Sequence, residues 1–300
     1  MEISQPELLR KLLETKDLVS VGGAFDAMSA KLVENANFDA VWAGSFAISA
    51  THALPDASIM TMTEFLNVAE NMVESCKIPV IADCDTGFGG PTNVAHMVKK
   101  YENAGISAIS IEDKTFPKQN SLLDNAKHEL LSEKDFVSKI IAAHDARRNE
   151  NFLIIARTEA LIAEQGIDEA LKRARAYENA GADAILIHSK KSSPAEIIQF
   201  ANSWDGNIPL VVVPTSYGSI TKQELIKNKI KMVIYANQTL RSAHASMQKT
   251  LQEIMEQNNL DGITQDLSSM NDIFILQDTY DIKTKEEKYR DKLRNLGYVK

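Results

Sequence analysis

Cysteine is nearly absent from this chain: Cys76 and Cys84 are the only two in 300 residues, and no C-x-x-C spacing occurs. That excludes a disulfide framework and a cysteine-bound zinc site, and it fits a reducing cytoplasm. Long apolar runs are missing too. No stretch approaches the roughly 20 apolar residues needed to cross a bilayer, so the sequence reads as that of a soluble protein. Positive charge is in deficit, with 33 Lys and Arg against 41 Asp and Glu, a net charge of -8 and a pI near 5.4. This argues against a nucleic-acid surface or a membrane partner and favours a small-molecule partner.

What is present is regular. With 44% hydrophobic content, the chain suffices for two ordinary domains or for one (β/α)8 barrel with extensions. Short apolar runs recur at 18–21, 40–42, 79–82, 108–111, 152–156, 184–187, 210–213 and 231–235, with helical segments between them. Near-continuous apolar strands alternating with helices mark a parallel sheet covered by helices, and eight of them imply a closed TIM-type barrel. Tyr101-Glu102-Asn103-Ala104-Gly105 recurs as Tyr177-Glu178-Asn179-Ala180-Gly181, each copy ending a helix and launching a strand. The expectation is a single α/β barrel domain over 1–300, with the barrel at about 15–240 and C-terminal helices and a charged tail at about 239–300.

At the N-terminus, Ser4-Gln5-Pro6-Glu7 reads as a capping box before an amphipathic helix carrying Leu8, Leu9, Leu12 and Leu13, not as a signal peptide. Beyond the last strand, 239–257 reads as a helix, broken at Asp261-Gly262, and 267–278 as another. The stripe Met247, Leu251, Ile254 and Met255 is expected to be a packed helix face. Residues 280–300 are charged enough for a solvated tail or an arm on a neighbouring subunit.

Chemistry concentrates at the C-terminal strand ends, where such barrels build their sites. The second run leads into Trp42-Ala43-Gly44-Ser45-Phe46, whose small residues let backbone N–H groups approach an anion, with Asp56 beyond. The third leads into Asp83-Cys84-Asp85-Thr86-Gly87-Phe88-Gly89. Strand alternation would put Asp83 and Asp85 on one face, suited to a hard cation, with Cys84 opposite. The fourth ends in Glu112-Asp113-Lys114, where Glu112 and Asp113 could bind a cation and Lys114 and Lys118 could meet an anion. Asn120 and Ser121 could then hydrogen-bond its oxygens. Roughly 19 residues separate Glu112 from the next helix, expected at Ser132 with Asp135 as capping partner. That is far above the usual ~4 to 6, and such loops are often lids. Arg157 and Glu159, then His188, Ser189 and Lys190, then Asn237 complete the set.

These residues resemble the phosphoenolpyruvate mutase branch of the isocitrate lyase superfamily. Glu112-Asp113-Lys114 followed by Asn120-Ser121 matches the motif E-D-K-x5-N-S, and Asp83-x-Asp85-Thr86-Gly87-x-Gly89 matches the metal-binding strand. Gly23-Ala24-Phe25-Asp26-Ala27, Ala156-Arg157-Thr158-Glu159-Ala160 and His188-Ser189-Lys190-Lys191 agree as well, so the similarity spans about 15 to 280. The resemblance implies an α/β barrel with its C-terminal helix swapped between subunits of a homodimer or homotetramer. It implies an isomerase that interconverts phosphoenolpyruvate and 3-phosphonopyruvate in phosphonate biosynthesis, coupled to a downstream phosphonopyruvate-consuming enzyme such as a decarboxylase.

By the same resemblance, Mg2+ is held by Asp83, Asp85 and Glu112, largely through waters. Asp56, Lys118, Asn120, Ser121, Arg157 and His188 are catalytic, and Trp42, Gly44, Ser45, Phe46, Arg157, Ser189 and Asn237 bind substrate. Trp42 on its own reads as a packing wall, and Asp56 reads either as a nucleophile or as a positioning residue. The carbon–carbon lyases of the superfamily carry K-[KR]-C-G-H on the lid, where this chain has Lys118-Gln119-Asn120-Ser121 and no cysteine. Cys84 replaces a frequent alanine and, pointing away, is expected to matter little. Phosphonopyruvate hydrolase is the nearest alternative, with threonine at the place of Asn120. A barrel that only binds or assembles would have lost site residues, and none is lost.

Overall fold

The computed structural model describes residues 3–123, 126–257, 259–260, 262–263 and 267–298. Helix α1 (Gln5–Thr15) starts where Ser4 accepts the Glu7 N–H. Then come β1 (Val19–Ala24), α2 (Ala27–Asn35), β2 (Ala40–Ala43), α3 (Ser45–Thr51), α4 (Met62–Ser75), β3 (Val80–Asp83), α5 (Pro91–Asn103), β4 (Ala108–Glu112) and α6 (Glu133–Ala146). The series continues through β5 (Leu153–Thr158), α7 (Gly166–Asn179), β6 (Ala184–Ile187), α8 (Ala195–Ser203), β7 (Leu210–Val212), α9 (Lys222–Lys227) and β8 (Ile230–Tyr235). All strand pairs are parallel, and β8 closes onto β1, giving a TIM-type (β/α)8 barrel as the eight apolar runs imply.

Side chains of every strand fill the interior, among them Val21, Trp42, Ile81, Ala108, Ile155, Leu186, Val211 and Ile234, with Leu9, Leu12 and Leu13 of α1 packed on the cluster. Each fully buried aliphatic residue contributes about 1.5–3 kcal/mol, so this interior is the rigid base on which the strand ends stand. Register then decides neighbours: Glu112 lies opposite Arg157 and Asp83 opposite Ser110. Among the described residues no helix is long and apolar enough to cross a membrane.

By contact density the chain divides into Met1–Arg241 and Ser242–Lys300. Helix α10 (Gln238–Gln257) runs across that division, followed by α11 (Met270–Leu276) and α12 (Thr279–Asn295). The segment read as a solvated tail or arm is therefore largely helical. Ion pairs one turn apart, Arg290 with Glu286 at 3.7 Å and Arg294 with Asp291 at 3.0 Å, support that helix. The expected break at Asp261 lies outside the described residues. The stripe expected as a packed face of α10 is largely exposed among the described residues: Met247, Leu251 and Met255 are 59%, 65% and 75% exposed, and Ile254 is half-buried.

Candidate active site

A cavity of about 250 Å³ opens at the C-terminal ends of the strands, lined by residues at or just past the ends of β2–β8 and of the loop after β4. Its floor is acidic. Asp83, the last residue of β3, accepts the Ser45 hydroxyl at 2.9 Å and the Asp85 N–H at 3.2 Å. Asp85 is no longer in the strand: its φ of 49° is left-handed, so a turn, not strand alternation, brings its carboxylate beside Asp83. Cys84 is fully buried and faces the Tyr101 hydroxyl, away from the cavity. Glu112 completes the acidic group.

Asp113 does something else. Its carboxylate is turned out of the cavity and accepts hydrogen bonds from the Tyr177 hydroxyl (2.7 Å), the Glu159 N–H (2.8 Å), Thr158 (3.1 Å) and Arg173 (3.2 Å). It anchors β4 to β5 and α7 and is not available to a cation, because every neighbour is a donor already bound to it.

The loop between β4 and α6 covers the cavity and is tied down by side chains. Lys118 Nζ lies 2.6 Å from Asp85 Oδ1, 2.8 Å from Asp56 Oδ1 and 3.1 Å from the Ser45 hydroxyl. Asn120 Nδ2 donates to Asp56 Oδ2 at 2.7 Å, so lid residues hold both oxygens of that carboxylate. Ser121 donates to Glu159 Oε2 at 2.5 Å and accepts from Lys114 Nζ (2.5 Å) and Arg157 Nη2 (3.1 Å). Lys114 also reaches the Gln119 carbonyl at 2.8 Å. At the far end of the loop, Ser132 caps α6, accepting the Asp135 N–H.

Lys114, Lys118 and Arg157 in this pocket are each paired with carboxylates. Burial alone would lower the Lys118 pKa, but Asp85 and Asp56 outweigh it and hold the ammonium well above its ordinary value. Burial likewise opposes ionisation of Arg157 and Glu159, and their mutual contact keeps both charged, with Arg157 Nε 2.6 Å from Glu159 and 3.3 Å from Glu112. Burial pushes His188 below its usual pKa, so a neutral imidazole faces the site, its Nδ1 placed 2.9 Å from Arg157 Nη2 and 3.0 Å from Glu159 Oε1. Asp85 is pushed up to about 6, first by burial and then by Asp83 and Asp56 against the pull of Lys118.

Asp85 Oδ2 and Glu112 Oε1 are buried oxygens that, among the described residues, have no hydrogen-bond partner. All-oxygen donors with unspent lone pairs fit a hard divalent cation. No three acidic, His or Cys groups among the described residues converge tightly enough to grip a bare ion. The two unpartnered oxygens suit a hard cation that takes few protein ligands and keeps several waters, as Mg2+ does.

Of the residues expected at the site, Trp42, Gly44, Ser45, Phe46, Asp56, Asp83, Glu112, Lys118, Asn120, Ser121, Arg157, His188 and Asn237 line the cavity, and Asp85 sits beneath Lys118. Gly44 is constrained: a Cβ there would come within 2.9 Å of the Trp42 ring. Ser189 is not brought in. Its hydroxyl donates to Glu196 on α8, and Lys190 pairs with Glu164 at 2.9 Å. Thr215 and Arg241 line the cavity without having been singled out. Thr215 accepts from Asn237 Nδ2 at 3.2 Å, and the Arg241 N–H closes the first turn of α10 on the Asn237 carbonyl. One helical turn from a residue at the end of a strand was the available signal for Arg241.

A family model described as phosphoenolpyruvate phosphomutase matches residues 9–255. The phosphoenolpyruvate phosphomutase of Tetrahymena pyriformis is 39% identical over 94% of this chain and 94% of its own length. A crystal structure of phosphoenolpyruvate phosphomutase from Streptomyces platensis subsp. rosaceus superimposes with a TM-score of 0.93 at 43% identity, covering 95% of this chain and 99% of that one. A phosphonopyruvate hydrolase crystallised with oxalate and Mg2+ superimposes with a TM-score of 0.90 at 40% identity, with the same coverage of 95% and 99%.

Proposed function

We propose that this chain, which belongs to the phosphoenolpyruvate phosphomutase family of the isocitrate lyase superfamily, interconverts phosphoenolpyruvate and 3-phosphonopyruvate. The observation that carries this reading is the lid contact between Asn120 and Asp56 at 2.7 Å, beside Lys118. On this reading the contact holds an amide donor beside the migrating phosphoryl group, in space that water would otherwise fill.

In the proposed reaction the phosphoryl group leaves C3 of phosphonopyruvate and is captured by the enolate oxygen of the same pyruvate. Backbone N–H groups at Gly44–Phe46 take the substrate carboxylate, with Trp42 as the wall behind it. Arg157, fixed by Glu112 and Glu159, and neutral His188 contact phosphoryl oxygens, and Lys118, Asn120 and Ser121 close over them from the lid. In a loose, metaphosphate-like transfer, positioning and charge stabilisation supply most of the catalysis, so the protein's task is to hold donors still and exclude solvent. Asp56 acts as a positioning residue: Lys118 and Asn120 occupy both its oxygens, which leaves it poorly placed to attack phosphorus. Asp83, Asp85 and Glu112 would hold Mg2+ through water, and the ion would supply Lewis-acid stabilisation of the developing enolate.

The second reading is hydrolysis of phosphonopyruvate to pyruvate and phosphate, favoured by the 40% identity to a phosphonopyruvate hydrolase. A carbon–carbon lyase is disfavoured by the absence of a lid cysteine. The exposed apolar stripe of α10 supports a homo-oligomer, either a dimer or a tetramer, and two free buried cysteines fit a reducing compartment. The test is phosphorus NMR on pure protein given phosphonopyruvate, first with chelator and then with excess Mg2+. Phosphoenolpyruvate is expected to appear only after the metal is added. Phosphonopyruvate left intact under both conditions would overturn the proposal.

A further inference from the structure

The turn that carries Asp85 is the most contorted stretch of backbone near the site. Asp85, Gly87, Phe88 and Gly89 have φ of 49°, 86°, 56° and 142°, conformations that non-glycine residues hold only when their surroundings enforce them. Three successive carbonyls of the turn are each held by one donor. Cys84 O accepts from the Gly87 N–H and Asp85 O from the Glu112 N–H, both at 2.8 Å. The third, Thr86 O, accepts from Lys139 Nζ of α6 at 2.7 Å.

The first two bonds are backbone to backbone and would form with many sequences. The third requires a long donor side chain reaching in from the neighbouring helix. Lys139 is 7% exposed and Thr86 1%. None of the ion pairs among the described residues includes Lys139, and burial lowers its pKa, countered only by Asp135 one turn earlier. An ammonium buried against one neutral carbonyl loses more hydration than a single hydrogen bond restores. Stability alone therefore does not account for a lysine on a buried helix face otherwise made of Phe136, Ile140, Ala143 and Ala146.

We infer that Lys139 is a positioning residue: by gripping the Thr86 carbonyl it locks the turn next to Asp85 and so sets how strongly the acidic group takes a divalent cation. This rests on the proposed metal site. Lys139 does not line the cavity, and its effect passes through the backbone of a residue adjacent to Asp85. The turn has a second support in the contact of Phe88 with Phe65, ring centroids 5.9 Å apart, so the loop should survive loss of the lysine while losing its fixed geometry.

The test uses the full chain with Lys139→Met, which keeps the bulk and removes the donor, Lys139→Gln, which is too short, and Lys139→Arg, which keeps a long donor. Calorimetric titration with MgCl2 alone gives the affinity, and thermal melting without metal gives the stability. The Met and Gln variants are expected to melt at or above the wild-type temperature yet bind Mg2+ roughly tenfold or more weakly, in the range found when groups supporting a metal ligand are removed. The Arg variant should fall nearer to wild type. Unchanged Mg2+ affinity in the Met and Gln variants overturns the inference, as does failure of both to fold, which would assign Lys139 to the core. If the wild type itself takes up no Mg2+, the metal reading is what fails, and the inference falls with it.

Discussion

Glu112 and Arg157 face each other in the β4–β5 register and are held by the main-chain ladder. Lys118, Asn120 and Ser121 reach the same cavity from a loop that grips the barrel through side chains. The two regions do different work. Strand ends can hold charge in place before any ligand arrives, since moving them would break the barrel. A lid tied down by a few side-chain bonds can release and close again, and two of those bonds, Lys118 to Asp85 and Ser121 to Glu159, end on residues at or just past the strand ends. Under the proposed function, the difference means that the acidic floor sets whether chemistry occurs, while the lid sets where the phosphoryl group goes.

Removing a floor carboxylate should therefore cost most. Asp85→Ala is expected to lower kcat/KM on the order of a thousandfold while the chain still folds; wild-type turnover by this variant would break the division of labour. Asn120→Ala should reduce rearrangement ten- to thousandfold, the range for one charge-stabilising contact, with release of phosphate falling less. Equal losses in both products would place Asn120 with the floor instead.

Protons sharpen the comparison through one residue of the floor. Asp85 is pushed up to about 6 by burial, and a metal needs the ionised form. Below that pH a proton competes for the site, and Mg2+ affinity should fall by about tenfold per unit while staying flat above pH 7. A flat titration from pH 5 to 8 would contradict this. The smallest effect belongs to the lid alone: limited proteolysis within 114–131 should be slowed by oxalate with Mg2+, and equal cleavage with and without ligand would argue against closure.

Much of this was legible in the sequence. The eight strands were, because buried parallel strands are continuous apolar runs whatever lies around them. The pairing of Asp83 with Asp85 was legible as a pair, but strand alternation was not its cause; a left-handed turn brings them together, and a single φ of 49° leaves no periodic trace. Ser189 stood in the right run of residues and was lost to Glu196, a partner that only packing reveals. Asp113 adjoined Glu112 and had the same chemistry, yet one step along a strand turns a side chain to the other face. Lys139 and Arg241 sit on helices, where a lone cation reads as solvated until a cavity or a carbonyl is placed beside it. The α12 helix was hidden by its own charge.

The division between floor and lid is tested most directly by following phosphorus through a single turnover of phosphonopyruvate in 18O-enriched water with Mg2+. A lid that excludes solvent predicts phosphoenolpyruvate as the dominant product, with no 18O in its phosphoryl group and little free phosphate. Inorganic phosphate carrying 18O as the dominant product, with matching pyruvate, would contradict the account and make the chain a hydrolase.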